Sequence, residues 1–196
     1  MEIEIVGGVA LLDANILLPV SIVDFVLTAS TYGLVRPVVS PGVLAETRRN
    51  MRDKLAISEA KIDYRLDRMA RFLPGSGDEP GPLIDQRAIE VVNPKDQHVL
   101  AAALHHDADF ILSNDQRFVA EVNLWRTLSH DTTYRLWGAL TADALAIHLV
   151  EHEPGLVTKT IKDMANRTRN PPMTATRILT TLSKHMPSLA RLAKID

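Results

Sequence analysis

The sequence predicts an α/β fold in which a parallel sheet is covered by helices on both faces. Two short apolar runs, Val9–Leu12 and Phe110–Leu112, are typical of strands that are buried on both faces. Segments with helical spacing alternate with these runs, as they do in parallel α/β sheets. Asp13 and Asp115 follow the two runs closely, and ligands bind at the carboxyl ends of parallel strands. We therefore expect a functional site at that edge of the sheet.

The elements of the N-terminal part are assigned from apolar spacing and from helix-start residues. Apolar residues recur at helical spacing between Pro19 and Tyr32, and Ser40-Pro41 is typical of a helix start. In order, the predicted elements are a strand over Val9–Leu12, a helix over Pro19–Tyr32, a brief extended connection over Val35–Val39, a helix from Ser40 that carries Glu46, and a helix from about Ser58 to Phe72.

A loop rich in glycine and proline, Leu73–Pro82, precedes the second group of elements. These are a short strand over Ala88–Val92, a helix from Asn93-Pro94 to about His106, a strand over Phe110–Leu112, a strand near Arg135–Leu140, and a helix from Thr141 to about Val150. Glu153-Pro154-Gly155 then indicates a boundary. Two amphipathic helices are predicted beyond it, separated by Asn170-Pro171-Pro172.

The composition is that of an ordinary soluble protein, with 196 residues of which 46% are hydrophobic and 23% are charged. The absence of cysteine excludes disulfides, thiolate metal sites and a cysteine nucleophile, and it suits a reducing compartment. The N-terminus lacks a signal-peptide pattern, and no apolar stretch is long enough to span a bilayer. We expect a cytoplasmic protein with no membrane association.

The net charge of −2 conceals an asymmetry along the chain. Residues 154–196 carry eight Lys/Arg against two Asp/Glu (+6), whereas residues 1–153 carry 14 against 22 (−8). We therefore predict a main domain over residues 1–150 and a basic helical extension over residues 151–196. A basic extension suits contact with nucleic acid or with an acidic partner. Docking of the basic extension on the acidic body explains the asymmetry equally well.

Four acidic residues, here called the acidic quartet, lie where elements of the predicted fold begin or end: Asp13, Glu46, Asp96 and Asp115. Converging carboxylates repel one another, and a hard divalent cation with oxygen ligands relieves that repulsion. Each residue also has a structural explanation, because acids are common in helix caps, in first helical turns and on solvated helix faces. Taken together, the four favour metal-dependent phosphodiester chemistry.

The ordered motifs of this chain resemble those of the PIN-domain nuclease family, and within it the VapC-type toxins of bacterial toxin–antitoxin pairs. The motifs are D-x-N at 13–15, S-P-x-x-x-x-E at 40–46, N-P-x-D at 93–96 and S-N-D at 113–115. The resemblance covers roughly residues 8–148 and leaves the basic extension outside. It implies a three-layer α/β/α sandwich with acidic residues grouped at one edge of the sheet.

The resemblance also implies which residues act and on what. The acidic quartet would be catalytic and would hold Mg²⁺ or Mn²⁺, with hydrogen-bonding support from Asn15, Ser113 and Asn114. Water activated by the metal would cleave RNA endonucleolytically, leaving a 5′-phosphate and a 3′-hydroxyl. The candidate RNA-binding residues, chosen for their charge and position, are Arg48, Arg49, Arg52, Arg117, Lys159 and Lys162.

The expected partners are an RNA substrate, a cognate antitoxin protein and a second copy of the chain. The apolar face near Val20 to Leu27 is a candidate dimer interface, although a helix facing the core explains it as well. Two alternatives remain: a PIN nuclease that acts in RNA processing without an antitoxin, and a non-catalytic PIN-like scaffold. The seven histidines accompany neither an HExxH motif nor cysteines, so no zinc site is predicted.

Overall fold

A four-stranded parallel sheet forms the centre of the molecule. The computed structural model describes residues 5–73, 80–81, 85–129, 133–169 and 171–193. The strands are β1 (Val9–Leu12), β2 (Arg36–Val38), β3 (Phe110–Leu112) and β4 (Gly138–Leu140), in the order β2-β1-β3-β4. Every neighbouring pair is parallel. The predicted α/β class with a central parallel sheet is therefore confirmed.

Eleven helices occur in the described part of the chain and surround this sheet. They are α1 (Ala14–Leu17), α2 (Val20–Thr31), α3 (Pro41–Asp53), α4 (Glu59–Ala70), α5 (Gln86–Val91), α6 (Gln97–His105), α7 (Gln116–Leu128), α8 (Ala142–His152), α9 (Pro154–Arg167), α10 (Ala175–Leu182) and α11 (Pro187–Leu192). None of the described helices is both long enough and apolar enough to cross a bilayer.

The strand order places a switch point between β1 and β3. From β1 the chain moves to β2 on one side, and β3 and β4 then lie on the other side. Residues 10–12 of β1 and all of β3 have no exposed surface, as expected for strands covered on both faces. The ladder continues past the strand ends, because the Asp13 amide donates to the Leu112 carbonyl at 3.0 Å. This pairing sets the residues after β1 beside those after β3.

The predicted strand over Ala88–Val92 is wrong, because this segment forms helix α5. Asp85 caps the helix through a 2.7 Å hydrogen bond from the Ala88 amide, and its carboxylate also accepts from the Trp125 indole at 3.2 Å. Ala88 and Val92 are both buried, and their separation of four residues fits one helical face. A short apolar segment of this length is ambiguous until its cap and its packing partners are known.

Other boundaries differ more modestly. The strand predicted near Arg135–Leu140 begins only at Gly138, and the extended connection over Val35–Val39 contains strand β2. Helices α1, α7 and α11 were not predicted, although α7 covers 13 residues. The remaining helices lie close to their predicted positions, including α3, where the Ser40 hydroxyl accepts from the Val43 amide. Most of the predicted loop Leu73–Pro82, and Asn170 of the later separator, lie outside the described residues.

The basic extension contacts the main body through α9 and α2. The Tyr32 hydroxyl donates to the Asp163 carboxylate, and the Lys159 ammonium lies 4.7 Å from the centre of the Tyr32 ring. Arg167 donates to the Asp24 carboxylate at 3.0 Å. The basic extension thus docks on the body through charged and apolar contacts. The division into domains at residue 150 stays a prediction.

Candidate metal centre

Asp13 is the most enclosed member of the acidic quartet. It directly follows β1, and only 7% of its surface is exposed. One carboxylate oxygen accepts from the Ala14 amide at 2.6 Å, which caps α1. The other accepts from the Asn15 amide group at 2.5 Å and from the Ser113 hydroxyl at 2.7 Å. Because one donor belongs to the backbone, Ser113 is buried and Asn15 is half-buried, these hydrogen bonds hold the Asp13 carboxylate in one orientation.

Asn15, Ser113 and Asn114 connect the ends of three strands. Asn15 donates to the Ser113 hydroxyl at 3.0 Å, and its carbonyl oxygen accepts from the Asn114 amide at 2.8 Å. The Asn114 side chain accepts from the Ala142 amide at 3.0 Å, just after β4. The three residues predicted to support the site therefore form one continuous hydrogen-bond network. Their support of catalysis stays a prediction.

Asp115 fulfils the structural explanation given for it, as the cap of α7, while its catalytic role stays a prediction. One of its carboxylate oxygens accepts from the Arg117 and Phe118 amides at 3.0 and 3.2 Å, so that it caps α7. Its own amide donates to the Ser113 hydroxyl at 3.1 Å. The other carboxylate oxygen lies 3.9 Å from the Lys95 ammonium. The cap therefore uses one oxygen of Asp115, while the second oxygen lies near the Lys95 ammonium.

Glu46 and Asp96 come from two helices that pack on each other, α3 and the start of α6. One oxygen of Glu46 lies 3.2 Å from Nε2 of His98, and the other accepts from the Asn50 side chain at 3.4 Å. Asp96 precedes α6 but its side chain makes no capping hydrogen bond. One of its oxygens lies 3.5 Å from the Lys95 ammonium. The start of α6 still suits an acid through the helix dipole, which is the structural explanation given for Asp96, although its carboxylate caps no amide.

Electrostatics link the four carboxylates into one group. Burial raises the pKa of Asp13, hydrogen bonds from Ser113 and Ala14 oppose that rise, and the nearby charges of Glu46 and Asp96 add to it. Burial also raises the pKa of Asp96. The positive charge of Lys95 lowers this pKa, and the negative charge of Asp115 raises it. In contrast, the hydrogen bond with His98 lowers the pKa of Glu46. The quartet is thus a concentration of negative charge that ordinary salt bridges neutralise incompletely.

Sequence reasoning missed three charged neighbours of the quartet: Lys95, His98 and Glu121. Lys95 and His98 stand within two residues of Asp96, so the string N-P-K-D-Q-H already contained them. Glu121 accepts from the Asn93 amide at 2.9 Å, and its charge contributes to the raised pKa of Asp96. It lies on α7, the helix that was not predicted, and no local pattern indicated its proximity.

The candidate RNA-binding residues differ in whether their charges are paired with acidic side chains. Arg48 pairs with Glu59 and Asp63 at 2.9 and 2.5 Å, and Arg52 pairs with Asp53 at 2.8 Å. Arg117 pairs with Glu121, also at 2.8 Å, and Lys159 lies over Tyr32 as described above. The side chains of Arg49 and Lys162 are exposed. Arg49 lies three residues after Glu46 on α3, and its charge contributes to the lowered pKa of Glu46.

The donor set of the quartet suits Mg²⁺ or Mn²⁺. All of its candidate ligands are carboxylate oxygens, which hard divalent cations prefer. The quartet is open, because no three of its residues have carboxylate oxygens that lie mutually within 4.8 Å. Among the described residues, that distance is met only by ligand atoms of His148, Glu151 and His152. Mg²⁺ usually keeps several of its waters and binds through one or two carboxylates, so an open group fits it.

Comparisons with known proteins agree with this geometry. The family model described as PIN domain matches residues 9–117, which is more than half of the chain and includes the whole acidic quartet. The model described as VapC50 C-terminal domain matches residues 142–194. No curated protein and no solved structure matched the chain. With a PIN domain followed by a VapC50-type C-terminal domain, the chain belongs to the PIN-domain family and is a VapC-type nuclease toxin.

Proposed function

We propose that the protein is an endoribonuclease in which the acidic quartet holds Mg²⁺ or Mn²⁺, and that a cognate antitoxin inhibits it in the cytoplasm. The observation that carries this proposal is the convergence of carboxylates from four separate elements at the switch point of the sheet. Asp13 follows β1, Asp115 follows β3, and Glu46 and Asp96 belong to α3 and the start of α6. Ligands bind at such switch points in open α/β sheets.

The cost of this arrangement supports a role beyond folding. Burial and neighbouring carboxylates disfavour the ionised form of Asp13, and its hydrogen bonds from Ser113 and Ala14 oppose this effect without removing it. Clusters of perturbed acids of this kind are typical of functional sites. A bound divalent ion would lower the pKa of a coordinated water and neutralise charge on the scissile phosphate. The observed network of Asn15 and Ser113 would keep the Asp13 carboxylate in one orientation.

Positive side chains next to the quartet are suited to the phosphates of the substrate. The Lys95 ammonium lies between the carboxylates of Asp96 and Asp115 and remains 63% exposed. The exposed side chain of Arg49 lies one turn after Glu46 on α3. Contacts of lysine and arginine with phosphates supply affinity without reading sequence. We therefore propose that Lys95 and Arg49 contact the RNA backbone.

A groove between α2 and α4 is suited to the proposed antitoxin. Its cavity has a volume of about 540 Å³, and its lining includes exposed Val20 and Tyr64 together with the basic residues Lys61, Arg65 and Arg68. Apolar surface with a basic rim is complementary to an amphipathic acidic segment. A small protein encoded next to this gene should co-purify with the wild-type chain, and Tyr64→Glu should abolish that co-purification. Retention by both forms would place the antitoxin elsewhere.

Cleavage of RNA by the purified protein tests the proposed function. Wild-type protein free of antitoxin is incubated with total RNA and Mg²⁺ or Mn²⁺, beside Asp96→Asn and an EDTA control. We expect discrete fragments with 5′-phosphate ends from the wild type. Asp96→Asn should reduce the rate at least about a hundredfold, as does loss of one electrostatic group at a reacting centre. Circular dichroism should show the same fold in both.

Asp107→Asn is the matched control for this substitution. Asp107 is exposed, lies outside the quartet and has a positive φ of 48°, which asparagine also tolerates. Its cleavage rate should equal that of the wild type. Equal rates for Asp96→Asn and wild type would refute the site assignment. No cleavage with either metal, from folded protein free of antitoxin, would refute the nuclease proposal and favour a binding scaffold.

A further inference from the structure

The C-terminal turns of α8 bring together two imidazoles and a carboxylate that the nuclease function does not use. His148, Glu151 and His152 each offer one ligand atom, and these atoms lie within 4.8 Å of one another. The spacing is i, i+3 and i+4, which places all three side chains on one face of the helix. His148 is half-buried and the other two are exposed, so that an ion from solvent has access.

The tautomer of His152 suits a metal ligand. Its Nδ1 lies 2.9 Å from the backbone carbonyl of His148. A carbonyl oxygen only accepts, so Nδ1 carries the hydrogen and Nε2 presents its lone pair. Histidines that bind metals characteristically donate their second ring N–H to a carbonyl or a carboxylate in this way.

The ring of His152 also favours the neutral, ligating form of His148. Their centres are 4.0 Å apart and their planes are inclined by 29°. Two imidazolium ions at that separation would repel each other. Burial and the neighbouring His152 lower the pKa of His148, although Glu151 opposes this effect. A metal ion bound by both imidazoles needs the ligating nitrogen of each ring to be unprotonated.

We propose that His148, Glu151 and His152 form a zinc-binding site that is separate from the acidic quartet. Two imidazoles and one glutamate are a known ligand set for Zn²⁺, with a fourth position left for water. Mg²⁺ prefers an all-oxygen set, so the two sites differ in the metal that they select. The helix dipole adds to the attraction, because its negative end lies at the C-terminus of α8.

The position of this site couples it to the junction between α8 and the basic extension. Glu153 is both the C-cap of α8 and the N-cap of α9. The Ala142 amide at the start of α8 is hydrogen-bonded to Asn114, and His148 lies six residues, about 9 Å of helix, further on. Zinc bound there would cross-link the last turns of α8 and stabilise the junction without touching the proposed nuclease centre.

A zinc titration of the full-length chain without an affinity tag tests this proposal. The protein is freed of metals with chelator and titrated with Zn²⁺ against a chromophoric competitor, in millimolar Mg²⁺ to occupy the oxygen-ligand site. We expect one Zn²⁺ per chain and a melting temperature that rises with zinc concentration. Co²⁺ should give the visible absorption of a site with nitrogen ligands. His148→Gln and His152→Gln should each weaken zinc binding at least about tenfold, since loss of even an outer partner costs about 10–100-fold.

His105→Gln is the matched control, because His105 is exposed and sits beside His106 without the i, i+4 spacing. It should bind zinc as the wild type does. Wild-type affinity retained in both His148→Gln and His152→Gln would overturn the proposal, as would absence of stoichiometric zinc binding by the wild type. Weakened zinc binding together with unchanged circular dichroism and unchanged RNA cleavage would establish a second, independent metal site.

Discussion

Ser113 is the residue on which the geometry of the candidate nuclease centre depends most directly. Its hydroxyl donates to the Asp13 carboxylate and accepts from the Asn15 side chain and from the Asp115 amide. It has no exposed surface, so water does not replace these bonds easily. One hydroxyl thus orients two members of the quartet that come from different strands.

We predict that Ser113→Ala weakens both the fold and the chemistry. Buried donors and acceptors left without partners cost about 1–3 kcal/mol each. Loss of a group that orients metal ligands typically costs about 10–100-fold in metal affinity or activity. Urea unfolding and the Mg²⁺ dependence of RNA cleavage measure the two effects. Ser58→Ala is the control, because Ser58 is exposed and its side chain makes no capping bond. Wild-type cleavage by Ser113→Ala would show that Asp13 is positioned without it.

Helix α7 is hydrogen-bonded to strand β4 through the Asn123 side chain. The Asn123 side chain accepts from the Ala139 amide at 2.8 Å and donates to the Ala139 carbonyl at 3.1 Å. It reaches this position because Gly138 has no Cβ; a Cβ there would lie 2.4 Å from the Asn123 carbonyl oxygen. The φ of Gly138 is +156°, a value that side-chain-bearing residues rarely adopt. The glycine therefore permits the contact that fixes the edge strand.

Gly138→Ala is predicted to destabilise the protein by about 1–3 kcal/mol, the usual cost of forcing extra atoms into a packed position. Chemical unfolding, followed by circular dichroism, measures the change in free energy. Gly155→Ala is the matched control: a Cβ at Gly155 meets nothing within 4 Å, and alanine suits the first turn of α9. That variant should be as stable as the wild type or slightly more stable. Equal stability of the two variants would contradict the account of Gly138.

The docking of the basic extension on the acidic body joins regions that are distant in sequence. Arg167 donates to Asp24 and to the Thr28 hydroxyl across more than 130 residues. The side chains of Arg167 and Asp24 are 52% and 43% exposed, so solvent screens their interaction. At this contact a basic residue of the extension pairs with an acidic residue of the body, as the docking explanation expects. Lys162 lies on the same helix, and its side chain is exposed and therefore accessible to a second partner.

Arg167→Ala should destabilise the fold by up to about 1 kcal/mol near neutral pH, a value discounted for exposure. Burial raises the pKa of Asp24 while Arg167 lowers it, so the variant should raise that pKa further. The pKa of this carboxyl is higher in the folded protein than its unfolded value of 3.8. The stability that the group contributes is therefore lost as the pH rises from the unfolded to the folded pKa. The deficit should therefore be larger at about pH 7 than at about pH 4 in urea unfolding. Lys162→Ala is the control, and a deficit independent of pH would contradict this explanation.

Much of the molecule followed from local patterns in the chain. Strands β1 and β3 were predicted at their observed bounds because continuous apolar runs are typical of strands buried on both faces. Helices α2, α3 and α4 followed from apolar spacing and from the Ser40-Pro41 start. The acidic quartet was selected because its members flank these elements. Its catalytic role stays a prediction that the substitutions above test.

Long-range packing accounts for what local patterns missed. The apolar pattern of Ala88–Val92 fits a strand or a helix equally well. Its helical form is supported by Asp85, which caps α5 and accepts a hydrogen bond from the Trp125 indole of α7. Glu121 reaches the neighbourhood of Asp96 only because α7 packs against α5. His148 and His152 carried a readable i, i+4 spacing, but their mutual geometry required the folded helix. Periodicity and caps act over a few residues, whereas partner choice depends on contacts that form only when the whole chain has packed.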